Sequence, residues 1–286
     1  MLNTLVTGLA TGALYAVVAM VFNIMYSTSK VLSLTTGHMA MLGGVFGAYL
    51  ITGVGLSAWV ALPLAMLIGA GFGLLTEFLA IRRVLAQGDE HLWVLSTLAL
   101  GTIVQHLMAL WWGTEPKPFP RLISQDFSAG PWDQKYWLPI GLAALAASGL
   151  ALFYRRTLLG RVFTAVAEDP FAARARGIAV ERVRSMSFAL AGILGALAGF
   201  AAGQLTFAFF ALGMWLTLSG FIALAAGGLG SNLGALVGGV LLGLLSAFST
   251  YFFGAEHQQS VSVGLLLLVL LVKPAGLFGK GIVRHV

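Results

Sequence analysis

The chain has 286 residues, 59% of them hydrophobic and only 9% charged, with a formal charge of +6 and no cysteine. A soluble globular domain is about half apolar and a quarter charged, so this composition excludes that class and specifies an all-α, polytopic integral membrane protein. The absent cysteines exclude disulfides and thiolate metal sites, and the excess of base lies mainly beside apolar runs, which points to membrane orientation rather than to nucleic acid.

The first predicted span covers residues 5–26, close to the 20 or so needed to cross the hydrocarbon. The residues before it lack the basic start and cleavage site of a secretory signal, so the span is expected to be retained. Lys30 follows, and then Ser33, Thr35, Thr36, Gly37 and His38 stand directly against an apolar run. That pattern predicts a broken helix or re-entrant turn, whose backbone at membrane depth must be buried in protein or line an aqueous cavity.

A second span ends near Thr52, a third covers 56–80 and stops at Arg82 and Arg83, and a fourth covers 91–112 with Gln105 and His106 near its far end. Residues 113–136 are rich in proline and charge and read as an aqueous loop. A fifth span, 137–154, leads to the polar island Arg155 to Arg184, which holds seven arginines and three acids. Inside the island, Pro170 suits a first helical turn and Gly177 the left-handed position past a helix end, so a short helix is predicted over about 170–176. A sixth span (185–207), a glycine-broken seventh (213–229), an eighth (233–253), a ninth (258–272) and a basic tail complete the chain. The expectation is one membrane domain, 1–286, with eight or nine spans including broken or re-entrant segments.

Alternating spans leave two sides. Of the sixteen bases, thirteen (Lys30, Arg82, Arg83, Arg155, Arg156, Arg161, Arg174, Arg176, Arg182, Arg184, Lys273, Lys280 and Arg284) fall on one side and three (Lys117, Arg121 and Lys135) on the other. The positive-inside rule then places the island and the C-terminus in the cytoplasm and the N-terminus outside. VLSLTTGHMAMLGGV (31–45) and WLTLSGFIALAAGGL (215–229) share a polar-small patch, an apolar run and a Gly-Gly. An inverted repeat accounts for the match, and so does shared membrane composition.

Catalytic chemistry finds no footing. No GxxxxGK[ST] loop is present, the glycines of 69–73 lie inside a span, and no two of the five histidines stand at ligand spacing, so neither ATP hydrolysis, dinucleotide binding nor a metal site is expected. No nucleophile stands with a base, which argues against an intramembrane enzyme. Ionisable groups within spans are few: Glu77, read as a boundary partner of Arg82 or Arg83, and His38 and His106. A secondary transporter normally relays protons through buried acids. Their scarcity argues against a carrier or channel working alone and for energy supplied by another chain.

The segment TAVAEDPFAARARGIAVERVRSMSFALAGILGALAGF (164–200) resembles the cytoplasmic segment and following span of branched-chain amino-acid ABC transporter permeases. LATGALYAVVAMVFNIMYS, GGLGSNLGALVGGVLLGLLSA and SVGLLLLVLLVKPAGLFGK match in the same order, and the length is similar to that of the H-type membrane subunit. The resemblance implies a permease subunit of an importer in the bacterial inner membrane, moving a small amino-acid-like solute by alternating access. It implies a second, non-identical M-type permease subunit, two cytoplasmic ATP-binding subunits that hold ATP and magnesium, a periplasmic substrate-binding protein and surrounding lipid; no cofactor is assigned to this chain. Residues 113–136 become a periplasmic loop and 155–184 the segment that contacts the ATPase, with Glu168, Asp169, Ala172, Ala173, Arg174, Gly177 and Ile178 as contacts. The solute path is placed along Ser33, Thr35, Thr36, Gly37, His38, Ser219 and Gly220. Where relatives carry Asn-Phe-Ala-His-Gly and an acid, this chain has Ser33 to His38; where they carry Lys-Ala-Phe, it has Ser219, Gly220 and Phe221. A path without that acid and lysine is less polar, which widens the solute class to other hydrophobic molecules.

Overall fold

The computed structural model describes residues 1–87, 92–120 and 133–279; His91, residues 121–132 of the 113–136 loop and the tail from Lys280 onward lie outside the described residues. Helix α1 (Leu2–Ser29) is apolar all round and buried along most of its length, so it forms the axis of the bundle. Around it pack α6 (Gln134–Arg156), α9 (Val180–Leu205), α10 (Leu212–Gly227) and α11 (Asn232–Phe253). Gly12 of α1 lies against the α11 backbone at Gly239, Val240 and Gly243. Lipid offers no hydrophobic drive for association, so such small-residue contacts hold the helices by close van der Waals packing.

Helix α2 (Thr36–Thr52) enters the interior, and α3 (Ala58–Thr76) lies against α9. Beyond α3 the backbone widens into a π turn over Glu77–Ile81, where the N–H of Arg82 bonds the carbonyl of Glu77, and it continues as α4 (Arg82–Gln87). Helix α5 (Leu92–Trp112) follows, largely unburied. At the far end of α5 a two-residue strand β1 (Lys117–Pro118) pairs antiparallel with β2 (Phe207–Ala208). The indole of Trp112 donates to the carbonyl of Ala208 at 3.2 Å, and Gln204 donates to that of Pro120 at 2.9 Å, strapping α5 to the end of α9.

Among the described residues seven helices are long and apolar enough to cross a membrane: Leu2–Ser29, Ala58–Leu85, Leu92–Trp112, Lys135–Arg156, Val180–Leu205, Asn232–Phe253 and Ala255–Val272, the last containing α12 (Gln258–Val272). The other two predicted spans, α2 and α10, have 17 and 16 residues. At 1.5 Å per residue they reach about 25 Å, short of the roughly 30 Å of hydrocarbon. They are also largely buried, so protein rather than lipid surrounds most of their length.

The polar island is more ordered than the single short helix expected. It forms α7 (Leu158–Glu168), α8 (Pro170–Ala175) and the first turn of α9, which starts at Val180 rather than 185.

Candidate functional site: a buried helix junction and a polar knob

Two groups of residues stand out, one inside the bundle and one at its basic end. Inside, the patch before α2 is knitted by its own side chains. Ser33 and Thr35 share a hydrogen bond of 2.7 Å, and Thr36 donates to the carbonyl of Ser33 at 2.7 Å. All five patch residues are buried, so the break is sheltered by protein, the first of the two alternatives open from the sequence. The first turn of α2 lacks a side-chain cap of its own. The backbone N–H of Gly37 instead donates to the hydroxyl of Thr217 on α10, 3.0 Å away. Helices α2 and α10 run antiparallel here, with Gly37 against Gly213 and Thr217 and Gly44 near Leu212.

His38, 2% exposed, packs between Gly101 of α5 and Gly213 of α10 and shares a 3.3 Å hydrogen bond with Gln105. The N–H of Leu34 donates to Thr97 of α5 at 3.3 Å. Three elements thus converge on the break. Beside it lies a cavity of about 240 Å³ lined by Leu34, Leu98, Met214, Thr217, Leu218 and Phe221. Apart from the threonine hydroxyl its walls are apolar, so it suits an aliphatic group rather than a charged one.

Ser219 and Gly220 do not join this junction. A Cβ on Gly220 would meet Val18 of α1, and Ser219 is within hydrogen-bonding reach of the Tyr15 hydroxyl. On α10 the residues that meet Ser33 to His38 are Gly213 and Thr217; Ser219 lies about 200° round the helix from Thr217, and Gly220, nearly in line with Gly213, sits about two turns further along against α1. Thr217 was the residue missed; its signal was a second hydroxyl, two residues before Ser219, in WLTLSG.

At the basic end, α7, α8 and the start of α9 enclose a small core of their own: Phe163, Val166, Ala173, Val180 and Val183, flanked by Phe153, Tyr154 and Ile178. Asp169 caps α8, its Oδ1 accepting from the N–H groups of Phe171 (2.9 Å) and Ala172 (3.0 Å), while Pro170 occupies the first helical position. Gly177, at φ +83°, closes the helix, with the N–H of Ile178 reaching back to the carbonyl of Ala173 at 3.1 Å. Arg174 bridges to Glu181 at 2.8 Å, and Lys30 donates from α1 to the carbonyl of Ala167 at 2.6 Å.

Of the seven predicted contacts, Glu168, Asp169, Ala172, Arg174 and Gly177 are exposed on this knob. Ala173 is not: at 4% exposure it points into the knob's core, and Ile178 is half-buried against it, so both support the surface from beneath. Among the large apolar side chains of the knob, Phe171 is the most exposed, at 80%.

Below the knob sits Glu77, 1% exposed. Oε1 accepts from Arg184 Nε at 3.0 Å and Arg82 Nε at 3.2 Å; Oε2 accepts from Arg82 Nη2 at 2.8 Å and the Ser185 hydroxyl at 3.1 Å. The sequence pointed to Arg82 or Arg83; Arg184, a hundred residues away, is the partner that only the fold supplies.

Long apolar helices around two short buried ones, with a polar junction between them, make a multi-pass membrane transport protein. The chain belongs to the family of branched-chain amino acid transport system permease components, whose model matches residues 4–272. It is 29% identical over 301 residues to the high-affinity branched-chain amino acid transport system permease protein BraD of Pseudomonas aeruginosa, covering 100% of this chain and 98% of that protein. It is 28% identical over 309 residues to the corresponding LivH of Escherichia coli, covering 100% and 97%. The LivM permease of Salmonella typhimurium is 28% identical over 92% of this chain and 67% of its own length. Among solved structures, PsaBC from Streptococcus pneumoniae in complex with Fab shares the fold, with a TM-score of 0.53 at 14% identity over 96% of this chain and 91% of that one.

Proposed function

We propose that the chain is one of two membrane subunits of an ATP-driven importer and that it moves a small hydrophobic, amino-acid-like solute inward. In this reading the knob is the docking element for a cytoplasmic ATP-binding subunit, where ATP and magnesium are held, and a periplasmic binding protein delivers the solute to the opposite face. The second membrane subunit is an M-type relative. The distribution of bases, thirteen against three along alternating spans, supports a knob and C-terminus in the cytoplasm and an N-terminus in the periplasm.

One observation carries the reading. Phe171 stands 80% exposed on a six-residue helix that is capped at both ends and braced by its own core. A large aromatic held rigidly in water beside small neighbours is the form of an anchor that fills a pocket on a partner. Glu168, Asp169 and Arg174 around it set the register, and Ala172 permits close approach. The apolar cavity beside Thr217 supports the solute class, since it would take an aliphatic side chain at little desolvation cost.

The test is reconstitution of the chain with its partner subunits in liposomes and measurement of labelled leucine uptake with and without ATP. ATP-dependent uptake that vanishes when the ATPase is omitted is the expected result. Uptake that persists without any ATPase overturns the proposal.

A further inference from the structure

The knob and the solute cavity lie on different helices, and a chain of specific contacts joins them. It starts at α8, which is fixed to the first turn of α9 by the Arg174–Glu181 bridge and by Ala173 packing with Val180 and Val183 in one small core. The next residues of that same turn are Arg184 and Ser185, and both donate to Glu77. A rigid helical turn carries Val183 and Arg184 together, so displacement of the knob is felt at the Glu77 carboxylate.

Glu77 opens the π turn. A π turn leaves backbone carbonyls out of the regular α-helical register, and such turns recur at functional sites. Here the carbonyl of Ala80, inside the wide turn, accepts a hydrogen bond from the Ser96 hydroxyl of α5 at 2.7 Å. Two residues further along α5 is Leu98, a wall of the cavity, and the intervening Thr97 holds the N–H of Leu34, another wall. The path therefore runs from Arg184 and Ser185 to Glu77, through the wide turn to Ala80, across to Ser96, and so to Leu98 and Leu34.

A buried carboxylate with two arginines is not the cheapest way to hold two helices together, because apolar packing of equal volume serves as well or better. What the network adds is a defined geometry: four donors in fixed directions on one carboxylate, at the start of the turn where the helix widens. We propose that the wide turn at Glu77–Ile81 is the relay between the knob and the cavity wall on α5, with Glu77 and Ser96 as its positioning residues. This rests on the importer reading above and names the internal route by which that importer couples ATP hydrolysis to its solute site.

The experiment uses the complete reconstituted transporter, with all rates divided by the amount of assembled complex. Ser96→Ala removes the contact to Ala80, together with the hydroxyl's longer bond to the Trp93 carbonyl within α5 (3.2 Å), and Glu77→Gln weakens the upstream joint. For Ser96→Ala, ATP hydrolysis stays close to that of the unmodified transporter and the solute concentration for half-maximal uptake is unchanged, while maximal uptake falls about tenfold, a loss within the range found along coupled networks. Ser96→Thr, which keeps the hydroxyl, restores uptake. The double variant Glu77→Gln with Ser96→Ala is no worse than the more severe single one, because both lie on one route. Unchanged uptake in Ser96→Ala, an equal fall of hydrolysis and uptake, or multiplied losses in the double variant overturns the relay while leaving the importer reading intact. Absence of ATP-dependent uptake in the unmodified transporter overturns both.

Discussion

Thr217 caps a helix to which it does not belong: its hydroxyl accepts the N–H of Gly37, 3.0 Å away in the first turn of α2, while donating to the carbonyl of Gly213 at 2.8 Å. First-turn N–H groups have no partner within their own helix, and α2 has no side-chain cap. Replacing the hydroxyl by a methyl group in Thr217→Val keeps the shape and orphans that donor, at a cost of about 1–3 kcal/mol. A lower Tm for Thr217→Val in detergent, with Thr217→Ser close to the parent protein, is the expected outcome.

The same junction leaves no room at Gly37. A Cβ there would lie 2.0 Å from the carbonyl oxygen of Gly213 and 2.4 Å from the nitrogen of Thr217, both backbone atoms. Gly37→Ala must push α2 from α10, a cost of several kcal/mol by the rules of overpacking. Little folded protein is expected from size-exclusion chromatography of this variant. Gly71→Ala, on a helix face with nothing within 4 Å of the added carbon, elutes normally and serves as control.

The knob offers two separable tests. Asp169→Ala removes the cap of α8 and destabilises that helix by about 1 kcal/mol, which faster hydrogen exchange over residues 170–176 reports. Phe171→Asp leaves the fold intact, since the ring touches water, yet weakens capture of the ATPase subunit in pull-down by an order of magnitude or more, as loss of an anchor does.

Gly177→Arg acts through the backbone. Nothing lies within 4 Å of a Cβ at this position, so there is no clash, but φ of +83° costs a side-chain-bearing residue about 1–2 kcal/mol. The variant remains in the membrane fraction, loosens the closure of α8, binds the ATPase weakly and takes up no solute. Normal uptake would refute a role for this closure in coupling.

The cavity beside Thr217 predicts selectivity. Leu218→Ala enlarges it by the volume of an isobutyl group less a methyl. Competition assays should then shift preference towards bulkier hydrophobic solutes by about tenfold, the scale of discrimination that one or two methylenes give an apolar pocket.

Local features were legible in the sequence where they depend on near neighbours. Pro170 and Gly177 bracket a helix because one lacks an N–H and the other lacks a Cβ, and both facts hold before any fold exists. The break at Ser33 to His38 was equally plain. What periodicity could not supply was which helices meet. Ser219 looked like the counterpart of the first patch because it sits two residues before a matching apolar run, yet helix α10 turns that face towards Tyr15. Thr217, two residues earlier and about 200° round the helix, makes the contact. Ala173 reads as a small contact residue until α7 is seen beneath it. Burial was out of reach for a related reason: α2 and α10 are as hydrophobic as their neighbours, and only the folded chain shows that they are shorter and enclosed by protein.

The small core beneath α8 means that the knob is finished before anything docks on it. Ordering a flexible segment costs about 1–2 kcal/mol per residue, a charge that would otherwise be levied on binding. Phe163, Val166, Ala173, Val180 and Val183 settle it within the permease itself. A partner therefore meets a hard, shape-true surface, and it can leave and return without the permease having to refold each time.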